Sequence, residues 1–320
     1  MADPATLLVT GASGFVGRAI VATAAITPGW RVRAASRRPI PVPASVQTTP
    51  AAELSDRGDW RDALRGADVV IHTAARVHVM HETAGDPLAE YRRVNVDGTL
   101  ELARQARAAG VRRFVFLSSI KVNGETTQPG RPFTAEDVPA PLDAYGVSKY
   151  EAEKALEALG RETGLEVVII RPVLVYGPGV KGNFLSMARW VRRGVPLPLG
   201  AVHNRRSLVA LHNLVDLALV CARHPAAANH RFLVSDGDDV STTDLLQRLA
   251  HALDRPSRLV PVPVPVLMAA AAAVGRGHVA RRLFGSLQVD LTKTRALLDW
   301  HPPMSMAEGL RLAVTELATG

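Results

Sequence analysis

Short apolar runs, mostly β-branched, recur through the first half of the chain: Thr6 to Val9, Arg31 to Ala34, Val69 to Ile71, Phe114 to Leu117 and Val167 to Ile170. Between them lie stretches such as 95–109 and 144–160, where apolar residues return every three or four positions, the period of a helix with one buried face. This alternation predicts an α/β fold: a Rossmann-like doubly wound parallel sheet with helices on both faces. After Arg171-Pro172 proline becomes more frequent and strands and helices follow in irregular order. Two domains are therefore expected, 1–172 carrying the sheet and 173–320 forming a smaller C-terminal α/β domain, with a segment near 203–220 packing back on the first. The run Ala269 to Ala273 reads as helix lying against an apolar surface.

At 320 residues, 47% hydrophobic and 21% charged, the chain can bury a full core. Its one cysteine, Cys221, excludes an internal disulfide framework and a cysteine-rich zinc site. Ten histidines include His72, His78 and His81, but no HExxH or Cys/His cluster appears, so no metal is expected. The first residues lack the pattern of a signal peptide. No apolar stretch reaches the ~18 to 20 residues of a membrane span; the nearest, around 259–274, is broken by Pro261, Pro263 and Pro265. A cytoplasmic protein with no membrane association is expected. The net charge of +8, from 38 Lys and Arg against 30 Asp and Glu, raises the question of nucleic acid. Only five of the cations are lysines, and they occur in scattered pairs such as Arg92 and Arg93, a bias typical of GC-rich codon usage. No nucleic-acid partner is expected, and individual arginines matter more than the sum.

Thr10-Gly11-Ala12-Ser13-Gly14-Phe15-Val16-Gly17 follows the first strand and opens a helix. Gly11, Gly14 and Gly17 are spaced for a tight turn, close approach of a pyrophosphate and close packing of helix on strand. The helix start, with its free amides and positive dipole end, suits phosphates, which makes 1–172 a dinucleotide-binding domain and 173–320 mainly a substrate domain. At the end of the second strand an acid would hold the ribose hydroxyls of NAD, whereas an arginine accommodates the 2'-phosphate of NADP. Here the chain reads Ser36-Arg37-Arg38 with no acid, so NADPH or NADP is the expected cofactor and NAD the other dinucleotide the site admits.

Tyr145 and Lys149 stand four apart on a helix that starts near Asp143, hence on one face. A phenol titrates near ~10, and a neighbouring ammonium favours its ionised form, which makes it usable as an acid or base. Ser118 and Ser119 close the fourth apolar run, at the edge where ligands collect.

TGASGFVG at 10–17, Glu53-Leu54, HTAA at 72–75, VNVDGT at 94–99, FVFLSSIKVNG at 114–124, YGVSK at 145–149, RPVLVYGPG at 171–179 and DLTKTRALLDWHP at 290–302 together resemble the extended short-chain dehydrogenases and reductases, the NAD-dependent epimerase/dehydratase family. That resemblance implies Tyr145 as proton donor or acceptor, Lys149 on the nicotinamide ribose lowering the phenol pKa, and Ser119 holding the reacting oxygen. It places Glu53, Leu54, His72, Ala74, Ala75, Asn95 and Pro172 around the dinucleotide, Asn95 serving equally well as a brace for the next helix. Asn183 and Arg206 match nucleotide-sugar members, Arg206 facing the diphosphate. Leu174 stands where sugar epimerases have asparagine, Asn123 where they have tyrosine and Lys121 where they have a small residue; Lys121 and Asn123 are the side chains offered to the sugar instead. Helices near 97–109 and 148–160 would form a homodimer contact.

Within this family one triad serves several reactions. Dehydratases carry acids directly after the catalytic Ser or Thr, where this chain has Ile120 and Lys121. The blocks SSIKVNGE, GVKGNF and RRLFGSLQVD look like those of bacterial 4-reductases. The expected activity is NADPH-dependent reduction of the C4 ketone of a UDP-4-keto-6-deoxy-N-acetylhexosamine, to a product such as UDP-N-acetylquinovosamine, for cell-surface polysaccharide. The alternative is a UDP-hexose or UDP-N-acetylhexosamine 4-epimerase with tightly bound NAD. A dinucleotide-sensing scaffold without turnover is the third reading, disfavoured because Ser119, Tyr145 and Lys149 are all present.

Overall fold

The computed structural model describes residues 3–77, 86–275 and 277–318; His78 and His81 lie outside them. Seven strands form one parallel sheet: β1 (Ala5–Thr10), β2 (Trp30–Ser36), β3 (Gln47–Pro50), β4 (Val69–His72), β5 (Arg113–Leu117), β6 (Glu166–Pro172) and, after the short pair β7 (Leu174–Tyr176) and β8 (Leu208–Ala210), β9 (Arg231–Val234). The order is β3-β2-β1-β4-β5-β6-β9. Strand order therefore reverses between β1 and β4, and a ligand crevice opens there at the carboxyl edge. Register brings Thr10 opposite both Ala35 and His72, and His72 opposite Phe116, so these strand ends share one rim.

Buried strands point alternate side chains to opposite faces. Leu7 and Val9 meet α1 (Phe15–Ile26), while Leu8 and Val70 meet α2 (Arg61–Leu64) and the later helices α4 (Gly98–Ala108) and α5 (Ala144–Thr163). Before α4 come α3 (Pro87–Arg92) and one π-helical turn at Arg93–Asp97. A second core gathers α6 (Asn183–Arg192), β7, β8, α8 (Thr242–Ala252) and α12 (Met306–Ala318). α7 (Leu211–Arg223) fills the α1 face of the sheet, with Cys221 buried in it. Residues after 172 thus serve both cores: α7 and β9 belong to the sheet, α6 and α8 to the lobe beyond its edge. α9 (Val264–Ala273), α10 (Gly277–Phe284) and α11 (Thr292–Leu298) complete the chain.

Candidate active site

The crevice is floored by the glycine turn. Gly11 adopts φ +71°, and a Cβ there would come within 2.6 Å of the Ala74 amide nitrogen. A Cβ on Gly17 would stand 2.2 Å from the Gly11 carbonyl oxygen. Both glycines are required by the fold before any ligand arrives. Gly14 is the N-cap of α1 and brings no side-chain cap, and the first turn holds no acid. The first-turn amides of Phe15, Val16 and Gly17 therefore face the crevice mouth without a capping partner, which suits a pyrophosphate. Ser13 is exposed beside them.

At the end of β2 Ser36 is half-buried and Arg37 and Arg38 are exposed; among the described residues neither guanidinium forms an ion pair. Ser36 Oγ accepts from the Arg38 amide at 3.4 Å, and the Ser36 carbonyl accepts from the Ala51 amide at 3.1 Å. This end of the crevice is a cation pair open to an anion. Glu53 pairs with Arg93 at 3.1 Å, and Leu54 packs where Gly98 leaves room, its Cγ 2.9 Å from the place of a Cβ.

His72 is buried between Thr10 Oγ1, 2.6 Å from Nδ1, and Thr99 Oγ1, 3.1 Å from Nε2. Burial, with the Lys149 charge nearby, pushes its pKa down to about 3, so the ring is neutral and braces the floor. Ala74 and Ala75 follow it along the crevice. Asn95, also buried, accepts from the Arg76 amide at 2.8 Å and donates to Arg76 O and Ser148 Oγ, each at 3.0 Å. Both ends of its amide are committed: it ties the loop after β4 to α5. Pro172 ends β6 on the same rim.

Asp143 caps α5 by accepting from the Gly146 amide at 2.8 Å, which fixes the turn that presents Tyr145. The Tyr145 hydroxyl is hydrogen-bonded to Ser119. One turn on, the Lys149 ammonium donates to the Leu117 carbonyl at 2.8 Å and lies 4.3 Å from the Phe116 ring centroid. Three predicted residues from two elements thus meet at the strand edge. The expected depression of the phenol is not what this arrangement gives. Burial raises Tyr145 to about 12, the Ser119 bond opposing it only in part and Asp143 adding to it. Burial likewise lowers Lys149 to about 7, against the pull of Glu153. Lys149 spends its proton on a backbone carbonyl here, so the phenol is desolvated more than it is stabilised as an anion.

Beneath the triad lies a network the sequence reading missed. Glu153 accepts a 2.5 Å bond from Ser118 Oγ and pairs with Arg171 at 2.6 Å, all three buried. Arg171 also donates to Asn123 Oδ1 at 2.9 Å, and Asn123 Nδ2 donates to the Thr134 carbonyl at 2.8 Å. Ser118 is therefore spoken for, leaving Ser119 to the site. Asn123, expected at the sugar, has both amide ends used inside the protein. The available signal was Glu153, four residues past Lys149 and so on its helical face.

On the substrate side Lys121 is half-buried, 6.0 Å from the Tyr145 ring centroid, and held by Asp143 and by Glu125 at 3.4 Å. Arg206 lies largely buried between backbone bridges to Val240 and Leu287, its Nη1 donating to Gly285 O at 3.0 Å; burial lowers its pKa. Asn183 is exposed at the start of α6, and Leu174 is exposed where β7 begins. Arg18, on the first turn of α1, lies against Gly179 across the crevice. Among the described residues no group of His, Cys, Asp or Glu is arranged to hold a metal, and no helix is long and apolar enough to cross a membrane.

Residues 7–235 match the model of the NAD dependent epimerase/dehydratase family. The chain is 46% identical, over 309 residues covering 96% of it and 94% of the relative, to a UDP-glucose 4-epimerase of Vibrio cholerae. Among solved structures, MoeE5 in complex with UDP-glucose and NAD superposes with a TM-score of 0.75 at 25% identity, covering 100% of both chains. RMD of Pseudomonas aeruginosa complexed with NADPH superposes at 0.74 with 24% identity, covering 98% of this chain and 99% of that one. With the glycine turn, the Ser119, Tyr145 and Lys149 rim and these matches together, the chain belongs to the NAD dependent epimerase/dehydratase family.

Proposed function

We propose that the protein inverts C4 of a UDP-hexose or UDP-N-acetylhexosamine, holding its dinucleotide through the turnover. One observation carries this choice: 46% identity, end to end, with a relative named as a UDP-glucose 4-epimerase. It favours this reading over the 4-reductase expected from sequence blocks. Gly11 to Gly17 would hold the pyrophosphate of the dinucleotide, Arg37 and Arg38 its adenosine end, and Lys149 its nicotinamide ribose. When bound, that group supplies an acceptor and donor of hydride.

The remaining work falls to the chain's own side chains. Ser119 donates to the C4 oxygen and orients it toward Tyr145. Tyr145 takes the proton from the C4 hydroxyl oxygen and gives it back to that oxygen when the alcohol re-forms with the opposite configuration. A phenol held near 12 is a poor base at neutrality, so a Lys149 ammonium released from Leu117 O and turned toward Tyr145 is what readies it. Arg206 pairs with the diphosphate and keeps the sugar at the rim.

A second reading, the NADPH-dependent 4-reductase, is favoured by the acid-free end of β2 with its two open arginines. The experiment is direct. Purified protein is incubated with UDP-glucose or UDP-N-acetylglucosamine and no added dinucleotide, and C4 configuration is followed by proton NMR. Conversion to the C4 epimer supports epimerisation. No conversion, with stoichiometric NADPH loss on a UDP-4-keto-6-deoxy-N-acetylhexosamine, overturns it in favour of reduction.

A further inference from the structure

We propose that the outer face of α9, with the basic surface beside it, docks on an anionic lipid bilayer. All ten residues of α9 are apolar, VPVLMAAAAA, and none is buried. Val264 and Leu267 lean on the second core. On the opposite side Val266, Ala269, Ala270 and Ala273, spaced i, i+3, i+4 and i+7, all face solvent, Val266 with 56% of its surface exposed. Val274, next in the chain, is 70% exposed. A surface helix ordinarily turns polar residues outward; one that is apolar all round is covered by something. The composition of Ala269 to Ala273 predicts a helix lying against an apolar surface in preference to a membrane role, and the fold covers only one side of it.

Charge says what the covering partner is. The cations are not evenly scattered. Residues 167–215 and 255–289, bounded by Glu166, Asp216, Asp254 and Asp290, carry 12 of the 38 Lys and Arg and no acid, although Arg171 is buried against Glu153 and Arg206 belongs to the substrate side of the site. The second of these segments contains α9. Arg255 and Arg258 are exposed just before it, and Arg281 is exposed on α10 just after. The first reaches the same surface through backbone bonds: Leu197 N to Arg258 O at 2.9 Å and Val260 N to Leu197 O at 2.8 Å. There Arg189, Trp190, Arg193, Val195 and Val260 are all exposed. An apolar face, a surface tryptophan and exposed arginines that outnumber the neighbouring exposed Asp254 are the chemistry of the headgroup layer of a negatively charged membrane. At about 15 Å in length, α9 lies in the interface and does not cross it. Leu283 and Gly285, at the end of α10, receive bonds from Asn204 and Arg206, so this surface adjoins the diphosphate end of the substrate site.

The test is co-sedimentation of the whole protein with vesicles of phosphatidylcholine alone or of phosphatidylcholine and phosphatidylglycerol at 7:3. It is independent of which C4 reaction the enzyme runs. The expected result is binding to the anionic vesicles only, weakened at least tenfold by 0.5 M salt and by the double variant Val266→Glu/Ala270→Glu, while dinucleotide binding stays at the wild-type level. Arg255→Ser/Arg258→Ser weakens it similarly. Absence of wild-type binding to the anionic vesicles overturns the proposal. So does equal binding to both vesicle types, or a face covered by a second copy of the chain, seen as an assembly that Val266→Glu/Ala270→Glu splits in light scattering with no vesicle binding.

Discussion

Gly17→Ala adds one methyl group at a place where the fold has no room. Its Cβ would stand 2.2 Å from the Gly11 carbonyl oxygen, 2.8 Å from the Gly11 carbonyl carbon and 2.9 Å from Thr73 Oγ1. Two of these are backbone atoms of a turn already held at φ +71° and pinned against the Ala74 amide. No rotamer change relieves the contact, so α1 must move off β1 by roughly 1 Å, an overpacking cost of about 1–3 kcal/mol. In a chain of this size that lowers Tm by about 2–10 °C. The same shift withdraws the first-turn amides from the pyrophosphate. Gly14→Ala is the control: its Cβ meets only the Gly11 oxygen, at 3.1 Å, and its φ of −77° suits alanine. Differential scanning fluorimetry and calorimetric titration with NADH and NADPH read both quantities. Gly17→Ala should lose stability and at least tenfold in dinucleotide affinity, whereas Gly14→Ala should keep its Tm within about 2 °C. A Gly17→Ala protein with wild-type Tm would refute the packing argument, and one with wild-type affinity would refute the cradle.

Arg171→Met strands the buried Glu153 carboxylate with Ser118 and should cost about 3–5 kcal/mol in urea unfolding; adding Glu153→Gln should recover part of it, and a loss under about 1 kcal/mol would contradict the network. His72 has a folded pKa of about 3 against about 6.5 unfolded. The unfolded chain binds the proton first, so the stability His72 contributes is complete above pH 6.5 and is lost as pH falls toward 3, by up to about 1.4 kcal/mol per unit. Tm against pH between 6.5 and 5 should flatten in His72→Asn; an unchanged slope would sink this account. Arg37→Ala should raise the Kd for NADPH at least tenfold and leave NADH within about threefold, and equal loss for both would remove the 2'-phosphate assignment.

Much of this was legible in the sequence because it was written locally. Five strands, the cap at Asp143 and the glycine turn depend on neighbours within a few residues, and Ser119, Tyr145 and Lys149 follow from their places on those elements. What was missed was non-local. β3 is polar and exposed and gives no apolar run, while β9 is four residues long and takes its place only through pairing with β6. Asn123 read as a sugar ligand because nothing local shows Arg171 approaching it from β6. The phenol pKa went astray for the same reason: a four-residue spacing shows that Lys149 is near, but not that its ammonium is turned toward Leu117 O. α9 showed its apolar composition plainly, and only the fold revealed that one face is left uncovered.

Tyr145→Phe tests the central claim most directly, since it removes one oxygen and leaves the buried ring in place. With UDP-glucose or UDP-N-acetylglucosamine as substrate, proton NMR of C4 configuration should show turnover at least about a thousandfold below wild type, the loss of a positioned acid–base group. NADH and NADPH binding and Tm should stay near their wild-type values. A Tyr145→Phe protein that keeps most of its C4 turnover would contradict the account.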